Sequence, residues 1–122
     1  MQFHNQTAIY LQIAEYIGEK ILSQNWQPDD KVPSIRELAF QLEVNPNTVQ
    51  RTYDFLQARE VIFTKRGLGY FVAPSAEANY LGWRKEQFET NELPIFFKQM
   101  ALLKISFEDL KLYFDKQQNS KM

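Results

Sequence analysis

Two short amphipathic patterns stand almost back to back in PSIRELAFQLEVNPNTVQRTYDFL, residues 33–56. Ser34 and Glu37 have the S-x-x-E spacing of a capping box, in which each side chain satisfies a free backbone N–H at a helix start. Leu38, Ala39 and Leu42 supply the apolar face of that helix, which is expected to run to about Glu43. After a break at Val44-Asn45, Pro46 suits a first helical position, where its missing N–H costs nothing, and Asn45 suits the N-cap before it. Val49, Tyr53 and Leu56, with Thr52 between them, form the inward stripe of this next helix, expected to end near Arg59. A break of only about three residues makes two helices cross steeply, so that the second protrudes by its amino end.

The flanking segments complete a small α-plus-hairpin plan. From Thr7 to Gln24, the residues Tyr10, Ile13, Ala14, Ile17 and Ile21 fall on one helical stripe despite Gly18. Asn25, which tolerates the left-handed conformation, and Pro28 mark its stop, and residues 25–33 read as a loop. VIFTKRGLGYFV, residues 61–72, holds two β-prone runs around a basic, glycine-bearing tip and reads as a hairpin. After Pro74 and Ser75, helical periods return through Tyr80, Trp83 and Phe88, then Ile95 to Leu103, then Phe107 to Phe114, with Ser106 and Asp109 as a further cap. The polar end from Gln117 is expected to fray. Three helices and a two-stranded wing, in that order, give a winged helix-turn-helix over residues 1–74, followed by a short helical tail over 75–122.

Composition narrows the chemistry. The chain has no cysteine and a single histidine, His4, so thiolate chemistry is excluded and metal or histidine catalysis has little to work with. No nucleophile or paired carboxylates stand at a workable spacing, and neither a cofactor nor an enzyme is expected. No apolar run is long enough for a membrane span and no signal-peptide pattern opens the chain, so a cytoplasmic protein is the default expectation. Net charge is −1, but residues 31–72 carry six Lys or Arg against four acids and form the only positive segment. On the second helix of the pair, Asn45, Asn47, Thr48, Gln50 and Arg51 gather hydrogen-bonding side chains at the protruding end, as phosphates and base edges require.

PSIRELA, then VNPNTV, then a glycine-bearing wing ending in FV resemble the DNA-binding domain of the GntR transcriptional regulators, whose pattern is P-S-x-R-E-L-A, V-x-x-x-T-V and a wing of that form. YLQIAEYIGEKI, residues 10–21, is similar to that family's first helix. The short tail resembles the YtrA-type subgroup of bacterial regulators, which use a few helices there to dimerise. The resemblance implies DNA contacts at Ser34 and Arg36, at Asn45, Asn47, Thr48 and Gln50 with Arg51 adjacent, and at Lys65, Arg66 and Gly67 of the wing. Three departures stand out. Pro46 replaces a base-reading arginine, Asp30 is read at a usual glycine with Val32 for a leucine, and Glu60 replaces a glycine before the first strand.

The implied partners are an operator in double-stranded DNA and a second copy of the chain, with no membrane. Tyr80, Trp83, Phe88, Phe96, Met100, Leu103, Phe107 and Leu110 carry more apolar surface than three short helices can hide alone, and dimerisation covers it most simply. A small-molecule effector, seated in a small cavity between tail and wing domain, is the weaker partner reading. The expected role is a dimeric repressor on a near-palindromic operator. The rival is a winged helix that docks proteins through its aromatic tail and binds no DNA.

Overall fold

A computed structural model describes residues 7–120. His4, together with residues 121–122 of the polar end, lies outside them. Along the chain run α1 (Ile9–Leu22), α2 (Ile35–Leu42), α3 (Pro46–Ala58), β1 (Ile62–Lys65), β2 (Gly69–Val72), α4 (Ala76–Gln87), a π-helical turn (Phe88–Glu92), α5 (Leu93–Leu102) and α6 (Phe107–Ser120). The expected mainly helical winged helix-turn-helix with a hairpin is the architecture found. Two compact units divide the chain, the first ending at Trp83 and the second beginning at Arg84. The first therefore extends beyond the expected boundary at residue 74, because the start of α4 packs into its core.

Inside the first unit, α1 and α2 pack on α3. Ile13, Ile17, Leu38, Val49, Tyr53, Leu56, Ile62 and Val72 are all fully buried at their junction. These are the stripe positions of each element, so helical and strand periodicity translates directly into the core. Gly18 also has a packing reason: a Cβ there would run into the ring of Tyr80. Tyr80 and Trp83 are both buried in this core, and Trp83 meets Phe55 edge-on at 5.0 Å between centroids. Their assignment to a dimer face is thereby corrected, since their apolar surface is covered within the first unit.

The hairpin pairs Ile62 with Val72 through Lys65 with Gly69. Its backing was not legible in the sequence: Lys31 bridges Phe71, and the Asp29, Val72 and Val32 N–H groups donate to Val72, Asp30 and Tyr70 carbonyls respectively. The loop before α2 thus adds a third, short strand-like edge. Two further details revise the sequence reading. The left-handed residue after α1 is Gln24 (φ 67°), not Asn25. In the loop it is Asp29 (φ 71°) that takes the glycine-favouring conformation, while Asp30 turns its carboxylate to the Gln27 N–H at 2.8 Å. Glu60 (φ 58°) does adopt the backbone that the usual glycine would.

In the second unit the π turn has a covalent origin. Pro94 has no N–H to return to the carbonyl four residues back, and a widened turn just ahead of it absorbs the mismatch. Arg84 and Glu92 form an ion pair at 2.6 Å across that turn. Ser106 and Asp109 cap α6 reciprocally, each bond 3.1 Å, and α6 is helical through Ser120, including the polar residues from Gln117.

Candidate nucleic-acid interface

The amino ends of α2 and α3 are built as the sequence implies. The Ser34 hydroxyl accepts from the Glu37 N–H at 3.1 Å, and the Glu37 carboxylate accepts from the Ser34 N–H at 2.9 Å. A hydroxyl can accept at its oxygen and donate its proton, so capping by itself does not exclude a phosphate contact. The Ser34 backbone N–H first, and the nearby Ser34 hydroxyl second, hold the Glu37 carboxyl below the usual carboxylate range. On α3, Asn45 Oδ1 accepts from the Asn47 N–H at 2.8 Å, and Pro46 follows at the first helical position. No acid occupies this first turn, so the positive end of the α3 dipole is uncompensated.

Two buried tethers fix how α3 projects, and neither was visible as a pair in the sequence. The Tyr53 hydroxyl donates to the Pro33 carbonyl at 2.6 Å, tying α3 to the residue just before the α2 cap. Burial pushes that hydroxyl well above the ordinary tyrosine range, so it stays protonated and donating. Its ring also meets Tyr70 of β2 edge-on at 4.8 Å. The Thr52 hydroxyl lies 2.8 Å from the Tyr10 carbonyl and 3.1 Å from the Thr48 carbonyl, joining α3 to α1. The inward stripe identified Thr52 and Tyr53 as core; the partners depend on chain crossings that periodicity does not encode.

The candidate contact residues fall into two groups. Ser34, Arg36, Asn45, Asn47, Gln50, Arg51, Arg66 and Gly67 are exposed, and Thr48 is half-buried. Among the described residues, Arg36 and Arg66 have no salt-bridge partner. Others are engaged: Gln50 donates to Asp54 at 2.9 Å, and the Arg51 guanidinium lies 3.9 Å from the Tyr10 ring centroid. Lys65 is the most committed, ion-paired with Asp29 at 2.9 Å and held 4.2 Å from the Phe71 ring centroid. The wing turn is closed by the Leu68 N–H on the Lys65 carbonyl at 2.8 Å, with Gly67 at φ 77° where a side chain would be strained.

An open cleft of about 400 Å³ lies elsewhere, at the carboxyl end of α3, lined by Gln57, Glu60, Ile62, Phe63, Pro74 and Asn79 among others. It belongs wholly to the first unit. Among the described residues no group of three His, Cys, Asp or Glu could hold a metal ion, and no helix is long and apolar enough to cross a membrane.

Residues 9–72 match the family model described as bacterial regulatory proteins, gntR family. Over 109 residues the chain is 39% identical to the uncharacterized HTH-type transcriptional regulator YhcF of Bacillus subtilis, covering 89% of this chain and 88% of that protein. Over 73 residues it is 40% identical to the HTH-type transcriptional repressor YtrA of the same organism, covering 60% of this chain and 56% of that one. Among solved structures, a GntR-family transcriptional regulator of Bacteroides thetaiotaomicron superposes with a TM-score of 0.76 at 43% identity, covering 93% of this chain and 99% of the other.

Proposed function

The chain belongs to the GntR family of bacterial regulatory proteins, transcription regulators rather than enzymes, and from that premise we propose that it is a homodimeric repressor acting on a near-palindromic DNA operator. The observation that carries this reading is the amino end of α3: exposed, free of acids in its first turn, and carrying Asn47, Thr48, Gln50 and Arg51 beyond a closed core. In this reading α3 enters the major groove, where Asn47, Thr48 and Gln50 meet base edges and Arg51 meets a phosphate. Ser34, Arg36 and Asn45 fix register on phosphates, and Arg66 and Gly67 of the wing meet the flanking backbone or minor groove. Lys65 joins them only by leaving Asp29.

Dimerisation is supported by the second unit. Phe88, Phe96, Leu103 and Phe107 are exposed there, and the half-buried Met100 and Leu110 complete the proposed face together with them. A two-fold dimer would carry two α3 ends, one for each half-site of an operator whose half-sites stand about 34 Å apart. The repressor role rests on the likeness to YtrA, and mechanism is then occupancy of the operator. The domain roles follow: the winged helix binds DNA, and the helical tail dimerises.

Selection of bound duplexes from a random-sequence pool, with sedimentation of the purified protein alongside, tests the whole reading. A two-fold motif with half-sites about one helical turn apart, bound by a dimer, is the expected result. A folded protein that enriches no sequence at any salt concentration would sink operator binding and favour a protein-docking winged helix. A monomer that enriches a single half-site would sink the dimer alone.

A further inference from the structure

We propose that Tyr10, on α1 and outside the helix-turn-helix pair, is a positioning residue for DNA binding: its ring holds the Arg51 guanidinium in place on the exposed flank of α3. The inference rests on the DNA-binding reading above. At 3.9 Å from guanidinium carbon to ring centroid, the pair is well inside the range of cation–π contact. Tyr10 is itself held at its ring and at its backbone. Phe55 packs edge-on against it, centroids 5.9 Å apart and planes at 78°. The Tyr10 carbonyl lies 2.8 Å from the hydroxyl of the fully buried Thr52, which fixes the α1 backbone against α3 at that turn.

Stacking occupies the faces of a guanidinium, whereas its five N–H donors lie in the plane. Arg51 can therefore rest on Tyr10 and still present its donors to a phosphate. An arginine free in solvent loses rotamer freedom when it docks; one already stacked has lost it beforehand, so more of the contact appears as affinity. Among the described residues no carboxylate forms a salt bridge with Arg51, and the ring is what orders it. The residue that closes the same helix supplies a control. Arg59 stacks on Phe55 at 4.1 Å, but eight positions along, about 12 Å toward the carboxyl end by the helical rise. There the same chemistry lies about two turns beyond the amino-end residues proposed to meet DNA.

The test uses the full chain and a short fluorescent duplex of random sequence, titrated over a range of salt. Tyr10→Leu is expected to weaken binding about two- to fivefold, the size of an exposed cation–π contact expressed as affinity. Tyr10→Phe keeps the ring and is expected to bind as the unaltered protein does. Arg51→Ala should weaken binding further and reduce the slope of log affinity against log salt by about 1. Added to Arg51→Ala, Tyr10→Leu should change nothing more, and Arg59→Ala should leave affinity unchanged. A purely structural Tyr10 would lower affinity by the same factor whether or not Arg51 is present, and that result overturns the proposal. So would loss of binding in Tyr10→Phe, an unaffected Arg51→Ala, or an Arg59→Ala as weak as Arg51→Ala. If the unaltered protein binds no duplex even at low salt, the DNA-binding reading itself falls, which is a different outcome from tight binding without coupling between Tyr10 and Arg51.

Discussion

From residue 7 to Trp83 the apolar residues converge on one core, whereas from Arg84 to Ser120 no described residue is buried. In the first unit the exposed large apolar side chains, Ile9, Leu22, Phe40 and Leu68, are scattered along the chain. In the second they follow closely along the chain: Phe88 on the π turn, Ile95, Phe96 and Phe97 on α5, Leu102 and Leu103 at its end, and Phe107, Leu112, Tyr113 and Phe114 on α6. Isolated exposed apolar residues are ordinary, but a dense set is characteristic of an interface. The two units thus present the same kinds of helix in different thermodynamic conditions. One is closed by its own chain, and the other has apolar surface left for something else to cover.

Truncation in the closed unit should have the largest effect. Leu56 is fully buried, and Leu56→Ala is expected to lower unfolding free energy by about 2–5 kcal/mol, measured by urea denaturation. A loss below about 1 kcal/mol would mean that this core is looser than its burial implies. Gly18→Ala comes next. The new methyl collides with the Tyr80 ring, and overpacking, less the gain in helix propensity, should cost about 1–2 kcal/mol. A stabilised variant would show that α4 is not held against α1.

The α2 cap allows a finer test. Ser34→Ala should cost about 1 kcal/mol through the lost N-cap. The capped Glu37 adds a pH dependence whose sign is fixed by its lowered folded pKa. Its contribution is complete above the pH at which an unfolded glutamate titrates, and is lost as pH falls through the lower folded value. Glu37→Gln should therefore show a smaller acid-side decline in stability than the unaltered chain, followed by denaturation at a series of pH values.

The smallest effect on the closed unit should come from the open one. Phe107→Ser removes an exposed ring, and is expected to change the unfolding of residues 7–83 by less than about 0.5 kcal/mol while shifting sedimentation from dimer toward monomer. If the substitution instead unfolded the first unit and left assembly unchanged, the contrast between the two units would be wrong.

Local rules account for much of what the sequence made legible. Capping chemistry placed the starts of α2, α3 and α6, because Ser34 with Glu37, Asn45 with Pro46, and Ser106 with Asp109 satisfy orphan N–H groups within a few residues. The period of 3.6 put Val49, Thr52, Tyr53 and Leu56 on the inner face, leaving the polar end of α3 exposed. The glycine-bearing wing was equally local, since a tight turn with Gly67 at positive φ needs only its own residues. Candidate contact positions were found in this way and through the family pattern.

What the tertiary structure alone decided involves residues far apart in the chain. Tyr80 and Trp83 share the aromatic pattern of the tail, yet they lie in the first core because α4 brings them against α1 and Phe55. Asp29 captures Lys65, and Tyr10 captures Arg51, because the loop before α2 lies along β2 and α1 crosses α3. Periodicity specifies which face of an element is apolar, whereas the partner of that face depends on how the elements cross. The sequence by itself determined the helix starts, the hairpin and the exposed polar end of α3; packing decided which charged side chains are held and which aromatic rings are spent inside the core.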